Sequence, residues 1–220
     1  IDSRQGQPDH LFVPIIGEKV DAHRFIEGAL KLNGATLTSE HDEMDSEQPW
    51  IRVDDTVKAM QQIGTAYRDR LNLPVVAVTG SVGKTSTRDM VGAVVASHFN
   101  TLKTEGNFNN HIGVPITIMR YQNEEAMVLE MGMNHLREIA KLVEIARPHI
   151  GVITNVGTAH IGLLGSRENI LKAKLEMAEY FDETNTLIIN NDNDLLHQFY
   201  LDNDVKYQIK TFGIQNDSDA

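Results

Sequence analysis

Residues 79–86 read TGSVGKTS. A lysine and two hydroxyl residues stand directly behind a pair of glycines, and that grouping suits phosphate. Gly80 and Gly83 let the backbone wrap close to phosphate oxygens, and the unpaired N–H groups of a helix start point at them. Lys84 supplies a cation for the outer phosphates, and Thr85 offers a hydroxyl to Mg²⁺. Thr79, Gly80, Ser81, Val82, Gly83, Lys84, Thr85 and Ser86 therefore form a candidate nucleotide-phosphate site. The strict G-x-x-x-x-G-K-[ST] pattern is not met, because Val78 stands where its first glycine belongs. An ordinary strand-to-helix turn with a surface lysine is the competing reading.

Further polar residues bear on the same chemistry. Glu130 closes the apolar run of VLEMGMNH, where a carboxylate can reach a cation held by Thr85. His160 lies in TNVGTAHIG and Lys174 in LKAKLEMAE. Taken singly, each has an ordinary explanation: a solvated strand-end acid, a structural histidine, a solvated helix lysine. Facing one phosphate loop, they support one another.

The elements that must position them read as follows. VVAVT (75–79), AMVLE (126–130), IGVIT (150–154) and TLIIN (186–190) are apolar β runs of the kind buried on both faces. Helices are expected from Lys84 to about His98, over 135–146 and over 167–181, with a helix and a strand after Asn190. Strands alternating with helices predict a parallel α/β sheet. Thr79, Glu130, Thr154 and Asn190 would then end at one edge, where open sheets place ligands. Before Leu73–Pro74 the pattern differs. Leu11–Val13 is a short strand. Phe25, Ile26, Ala29 and Leu30 line a helix after Asp21, ending at the Asn33–Gly34 cap signal. Val57, Met60, Ile63, Tyr67 and Leu71 line a second helix, capped by Asp54 or Asp55. Residues 39–49 (SEHDEMDSEQP) read as a solvated acidic loop.

The chain has 220 residues, 41% of them hydrophobic, which allows a real core. Its formal net charge of −11 argues against a nucleic-acid surface, which needs clustered Lys and Arg. There is no cysteine, hence no disulfide, thiolate metal site or thiol nucleophile. No apolar run reaches membrane-spanning length and no signal peptide is evident, so a cytoplasmic location is expected.

The stretches TGSVGKTSTRDM, TEGNFNNHIGVPITI, LEMGMNHLREI, PHIGVITNVGTAHIGLLGSRENI and LIINNDND follow one another in the order of the Mur ligases, which they resemble. These are ATP-dependent amide-forming enzymes of peptidoglycan synthesis. GNFNNHIGVP with LEMGMNH is most similar to the member that adds D-alanyl-D-alanine to UDP-N-acetylmuramoyl-tripeptide. The opening IDSR…LFVPIIGEKVDAHRF resembles that member's UDP-sugar-binding domain, although Asp9–His10–Leu11 and Ala22 depart from its usual glycine-containing pattern.

The resemblance implies an α/β fold: a small N-terminal UDP-sugar-binding domain (1–73), then a phosphate-loop, mostly parallel sheet with flanking helices (74–220), the family's central domain. It implies that Lys84 contacts ATP and that Thr85 and Glu130 hold one Mg²⁺. His160 would help hold a second, and Lys174 would be carbamylated, giving Mg²⁺ the oxygen ligand it prefers. Lys84, Lys174 and His160 would be the catalytic set. Asn190 would contact adenine, Asn107, Asn109 and Asn110 the muramyl substrate, and Ser3 and Arg4 the uridine diphosphate. The partners are then small molecules, a UDP-muramyl peptide and D-Ala-D-Ala, and a bacterial, cytoplasmic monomer serving cell-wall growth, shape and division is expected. The chain opens on Ile1 and lacks the match to a C-terminal ligase domain, so a fragment inactive alone is expected. Two other readings stay open: a non-catalytic nucleotide- or UDP-sugar-binding module, and another amide ligase of the superfamily, such as a folylpolyglutamate- or cyanophycin-synthetase-like enzyme. The DSR start and the NFNN loop speak against the second.

Overall fold

The structure, a computed structural model, describes residues 1–43, 46–202 and 204–220. The chain divides into two compact units, Ile1–Ile63 and Gly64–Ala220. The division falls inside a helix rather than at Leu73–Pro74. The last turn of that helix belongs to the second unit because the buried Arg68 guanidinium donates to Ala146 O at 2.8 Å, Leu71 O at 2.8 Å and Arg147 O at 3.2 Å.

The first unit holds a three-stranded parallel sheet in the order β1 (Leu11–Phe12), β2 (Ala35–Thr38), β3 (Trp50–Arg52). Phe12 packs with Ile26, Ala29 and Leu30 of α1 (Ile26–Leu30). A 3-10 turn over Ala22–Phe25 precedes α1, and the Asp21 carboxylate caps it by accepting from His23 N. The expected glycine cap takes another form. Asn33 Nδ2 donates to Ala29 O at 2.7 Å, and Gly34 is not left-handed. Glycine is needed there because a Cβ would sit 1.9 Å from Pro8 O. The second helix, α2 (Thr56–Arg68), is capped by Asp55, whose Oδ1 accepts from Val57 N and Lys58 N. The described residues of the 39–49 loop form no helix or strand, and Met44 and Asp45 lie outside the described residues.

The second unit is a six-stranded sheet in the order β5-β6-β4-β7-β8-β9, every neighbouring pair parallel. Its strands are β4 (Val75–Thr79), β5 (Thr101–Lys103), β6 (Ala126–Glu130), β7 (Ile150–Ile153), β8 (Thr186–Asn190) and β9 (Gln208–Phe212). Between them run α3 (Lys84–Ala96), α4 (Gly113–Met119), α5 (Glu138–Ala146), α6 (Ile161–Leu164), α7 (Arg167–Leu175) and α8 (Asp194–Asp202). The chain leaves the central β4 toward β5 and returns past it to β7, so the direction of winding reverses at β4, the place where open sheets form a ligand crevice.

Alternation along the strands divides the core. Val75 and Ala77 face a large cluster with Ile139 and Leu142 of α5 and Ile170 and Ala173 of α7. Val78, Val128 and Val152 face the other way, against Val91 and Val95 of α3. Among the described residues, no helix is long and apolar enough to cross a membrane.

Candidate active site

The turn from β4 into α3 is built by two glycines for two reasons. A Cβ on Gly80 would lie 1.8 Å from Thr154 Oγ1, so close approach requires glycine there. Gly83 has open space around it but caps α3 with φ 80° and ψ 1°, a left-handed conformation that glycine adopts without penalty. The loop after β7 staples the turn. Asn155 Oδ1 accepts from Ser81 N at 3.1 Å and Val82 N at 3.0 Å, Thr154 Oγ1 donates to Val82 O at 2.6 Å, and Gly157 N donates to Ser81 Oγ at 2.9 Å. At the root of the turn Thr79 is fully buried, and its hydroxyl has no partner among the described residues. A buried hydroxyl without a partner is rare and marks a position that a ligand or water completes.

Lys84 opens α3, with Nζ 2.9 Å from Gly80 O. Thr85 Oγ1 donates to Glu130 Oε2 at 2.9 Å, so the two residues expected to share a cation are already in contact. The register β4–β6 sets this, pairing Val78 with Glu130. By alternation Glu130 falls on the α3 face of the sheet, with Val128.

Lys174 comes from the opposite face, on α7 beside Ala173. Only 2% of it is exposed, and among the described residues its amine has neither a counter-ion nor a hydrogen-bond partner. Burial, and secondarily the charge of Lys84, bring that amine down to about 7. The acids nearest in sequence do not answer it. Glu176 accepts from Arg137 N and Ala140 N at the start of α5, and Glu179 pairs with the Arg137 side chain. Lys172, by contrast, is exposed.

The remaining expected residues are placed as follows. His160 is exposed at the start of α6 with φ 65°, and its ring has no hydrogen-bond partner among the described residues. Asn190 spends its amide on Thr154 O and Asp192 N. Asn109 Nδ2 donates to Glu130 Oε1 at 2.7 Å, Asn110 Oδ1 accepts from Ile112 N and Gly113 N at the start of α4, and Asn107 is exposed. Ser86 is exposed on α3. In the first unit, Ser3 precedes an exposed Arg4 that forks onto Asp2 at 2.9 Å through Nε and Nη2, and this pairing first of all holds the Asp2 carboxyl down at about 2.

Two contributors escaped the sequence reading. Arg88 is buried and donates to Glu130 Oε2 at 3.3 Å, and Asn155 shapes the phosphate turn. The signal for Arg88 was present: it stands three residues after Thr85, on the same face of the helix.

A hard cation suits part of this set. Thr85 and Glu130 offer oxygen donors in contact, and Mg²⁺ takes oxygen. Among the described residues, no group of three or more His, Asp or Glu is arranged to hold a metal ion, so an ion on Thr85 and Glu130 would draw further oxygens from a ligand. The Lys174 amine becomes an oxygen donor only if CO₂ adds to it.

The sequence pattern described as "Mur ligase middle domain" matches residues 78–220. The chain belongs to the Mur ligase family. This Mur ligase chain is 41% identical over 221 residues to the UDP-N-acetylmuramoyl-tripeptide--D-alanyl-D-alanine ligase of Bacillus subtilis, covering 99% of this chain and 47% of that one. Among solved structures, MurF from Acinetobacter baumannii matches with a TM-score of 0.88 at 33% identity, covering 96% of this chain and 47% of that one. MurF ligase from Thermotoga maritima in complex with ADP matches with a TM-score of 0.87 at 29% identity, covering 98% and 50%. The Mur ligase chain thus spans about half the length of the relatives it matches.

Proposed function

We propose that this chain is the nucleotide- and UDP-sugar-binding part of an ATP-dependent ligase that joins D-alanyl-D-alanine to UDP-N-acetylmuramoyl-tripeptide in the bacterial cytoplasm. The observation that carries the reading is the 2.9 Å contact of Thr85 with Glu130, made above the phosphate turn and beside Lys84. A carboxylate that meets the hydroxyl behind a phosphate loop is what a nucleotide-bound cation needs. The relatives, UDP-N-acetylmuramoyl-tripeptide--D-alanyl-D-alanine ligases, support the substrate pair.

The proposed reaction needs no enzyme nucleophile. A carboxylate oxygen of the tripeptide attacks the γ-phosphorus of ATP, the bond to the β-phosphate oxygen breaks, and ADP leaves from an acyl phosphate. The amine of D-Ala-D-Ala attacks the acyl carbon, loses a proton and expels inorganic phosphate. Lys84 and the N–H groups at the start of α3 would hold the phosphates in line, while Asn155 takes up the Ser81 and Val82 N–H groups, and the chain's part is mainly positioning and charge neutralisation. Mg²⁺, held by Thr85 and Glu130, would withdraw charge from the phosphate oxygens. His160 and a carbamylated Lys174 would serve a second ion. Residues 1–73 would bind the UDP-muramyl end through Ser3 and Arg4, with Asn107, Asn109 and Asn110 meeting the muramyl part and Asn190 the adenine, within a 74–220 domain that binds ATP.

Calorimetry with Mg·ATP tests the phosphate site. Losing a charge-assisted contact should weaken binding by about tenfold or more in Lys84→Ala and in Thr85→Ala. Arg4→Ala should weaken UDP-N-acetylmuramoyl-tripeptide binding and leave ATP affinity within about twofold. Unchanged ATP affinity in both loop variants removes the reading. Loss of ATP binding in Arg4→Ala refutes the division between sites.

A further inference from the structure

Glu130 is engaged on both oxygens. Oε2 accepts from Thr85 at 2.9 Å and from Arg88 Nη1 at 3.3 Å, and Oε1 accepts from the Asn109 amide at 2.7 Å. The side chains of Arg88 and Glu130 are 6% and 3% exposed. A buried carboxylate is tolerated only with a partner charge, and Arg88 supplies it from α3 itself.

The guanidinium is fixed in turn. Nη1 also donates to Gly106 O at 3.0 Å, and Nε and Nη2 donate to Asp89 at 3.2 and 3.0 Å. Asp89 is shared with Lys103 at 2.9 Å. Arg88 therefore cannot swing away without giving up several charge-assisted bonds. Counting the whole network, Lys84 at the turn with Arg88 and Lys103 outnumber Glu130 and Asp89 by one charge, a net positive surrounding for any ion arriving alone.

Resting on the Mg·ATP reading above, we propose that Arg88 is a positioning residue that holds the electrostatic place of a cation on Glu130, so that a divalent ion is taken up only together with nucleotide phosphates. An ion arriving alone is repelled at short range by the guanidinium seated on the buried Glu130 carboxylate, and the negative phosphates reverse the sign of the local field. The hydrogen bonds also fix how the ion is met. A carboxylate offers about four lone-pair positions, and Thr85, Arg88 and Asn109 use three of them. One remains, on Oε1, which suits a single direct contact rather than a two-oxygen clamp.

The test titrates Mn²⁺ alone, and then Mn²⁺ with ADP, into the chain, reading free Mn²⁺ by electron paramagnetic resonance. The parent should bind Mn²⁺ alone at least about a hundredfold more weakly than with ADP, because only the phosphates overcome the local charge. In Arg88→Gln the affinity for Mn²⁺ alone should rise about tenfold or more and the gap should narrow, whereas Arg88→Lys should keep the gap within about threefold. A purely structural arginine would lower the melting temperature in both variants and leave the gap as it was. A folded Arg88→Gln with the parent's gap overturns the proposal, and so does a parent that binds Mn²⁺ equally well without ADP. Removing Arg88 leaves Glu130 without its counter-charge and Asp89 with Lys103 alone, so Arg88→Gln with Asp89→Asn serves if the single variant does not fold. If the parent fails to bind ADP, the ligase reading falls. The Mn²⁺-alone comparison of parent and variant still decides the role of Arg88.

Discussion

Lys174→Met replaces a buried amine by a side chain of similar length without charge. In the fold the amine titrates at about 7, first because it is buried and second because Lys84 is near. In the unfolded chain it titrates at about 10.4. The difference is roughly 3 units, or about 4–5 kcal/mol at 1.36 kcal/mol per unit, an upper value because relaxation and water entry reduce it. Between these two values the unfolded chain binds the extra proton, so parent stability rises with pH across that window. The penalty is complete below about pH 7 and absent above about pH 10.4. Lys174→Met carries no such penalty. It should be more stable than the parent by a few kcal/mol at pH 6, with the advantage shrinking steadily toward pH 10. Urea denaturation followed by circular dichroism, at pH steps in buffer stripped of CO₂, reads this directly. At pH 8 about nine-tenths of the amine would be neutral, against less than about 1% for a free lysine, so bicarbonate should stabilise the parent and leave Lys174→Met unmoved. A stability difference that stays constant from pH 6 to pH 10 would refute the reasoning, since it would mean that the amine is not held neutral by its surroundings.

Gly80→Ala drives a Cβ to 1.8 Å from Thr154 Oγ1 and should destabilise by about 2–4 kcal/mol, while Gly83→Ala meets no atom and pays only the left-handed strain of about 1–2 kcal/mol. Equal urea midpoints for the two variants would contradict the separate roles given to these glycines. Arg68→Ala removes bonds to Ala146 O, Leu71 O and Arg147 O and should lower the urea midpoint by the equivalent of about 3 kcal/mol with the slope unchanged, and Arg68→Lys should not restore it, because an ammonium lacks the fork. A shift under about 0.5 kcal/mol would show that water replaces those bonds.

The sheet was legible where burial made the chain speak plainly. AMVLE and TLIIN are strands over the residues read from the sequence, because a parallel strand covered on both faces is a continuous apolar run. IGVIT loses its last residue, the strand ending at Ile153, although Thr154 N still donates to Thr79 O of β4 at 2.9 Å. The helix read over 135–146 starts only at Glu138, after Arg137 adopts φ 71°. That read over 167–181 ends at Leu175 and continues as a 3-10 turn over Glu176–Ala178. Three-residue strands such as β3 and β5 are too short for a period to show. The helix α4, GVPITIM, was hidden by β-branched residues and a proline in its first turn. At the site, Lys84, Thr85 and Glu130 could be read from spacing alone, because a strand end and a helix start fix where they point. Arg88 and Asn155 act through geometry that only folding brings about, the latter joined to Ser81 across 74 residues.

That long span has a consequence for the order in which the chain folds. β4 lies at the centre of its sheet, yet its neighbours β6 and β7 and the Asn155 staple are all made later in synthesis. Until they emerge, VVAVT has two bare hydrogen-bonding edges and an apolar surface, the condition under which a nascent strand finds the wrong partner. Non-local parallel pairing of this kind is slow to nucleate, because loop closure must precede any gain in contacts. The phosphate turn is therefore among the first parts of this unit to be synthesised, while the bonds that staple it wait for Asn155, 74 residues later. A nascent chain ending before Asn155 would carry every residue of the turn without the fold that makes it a binding site.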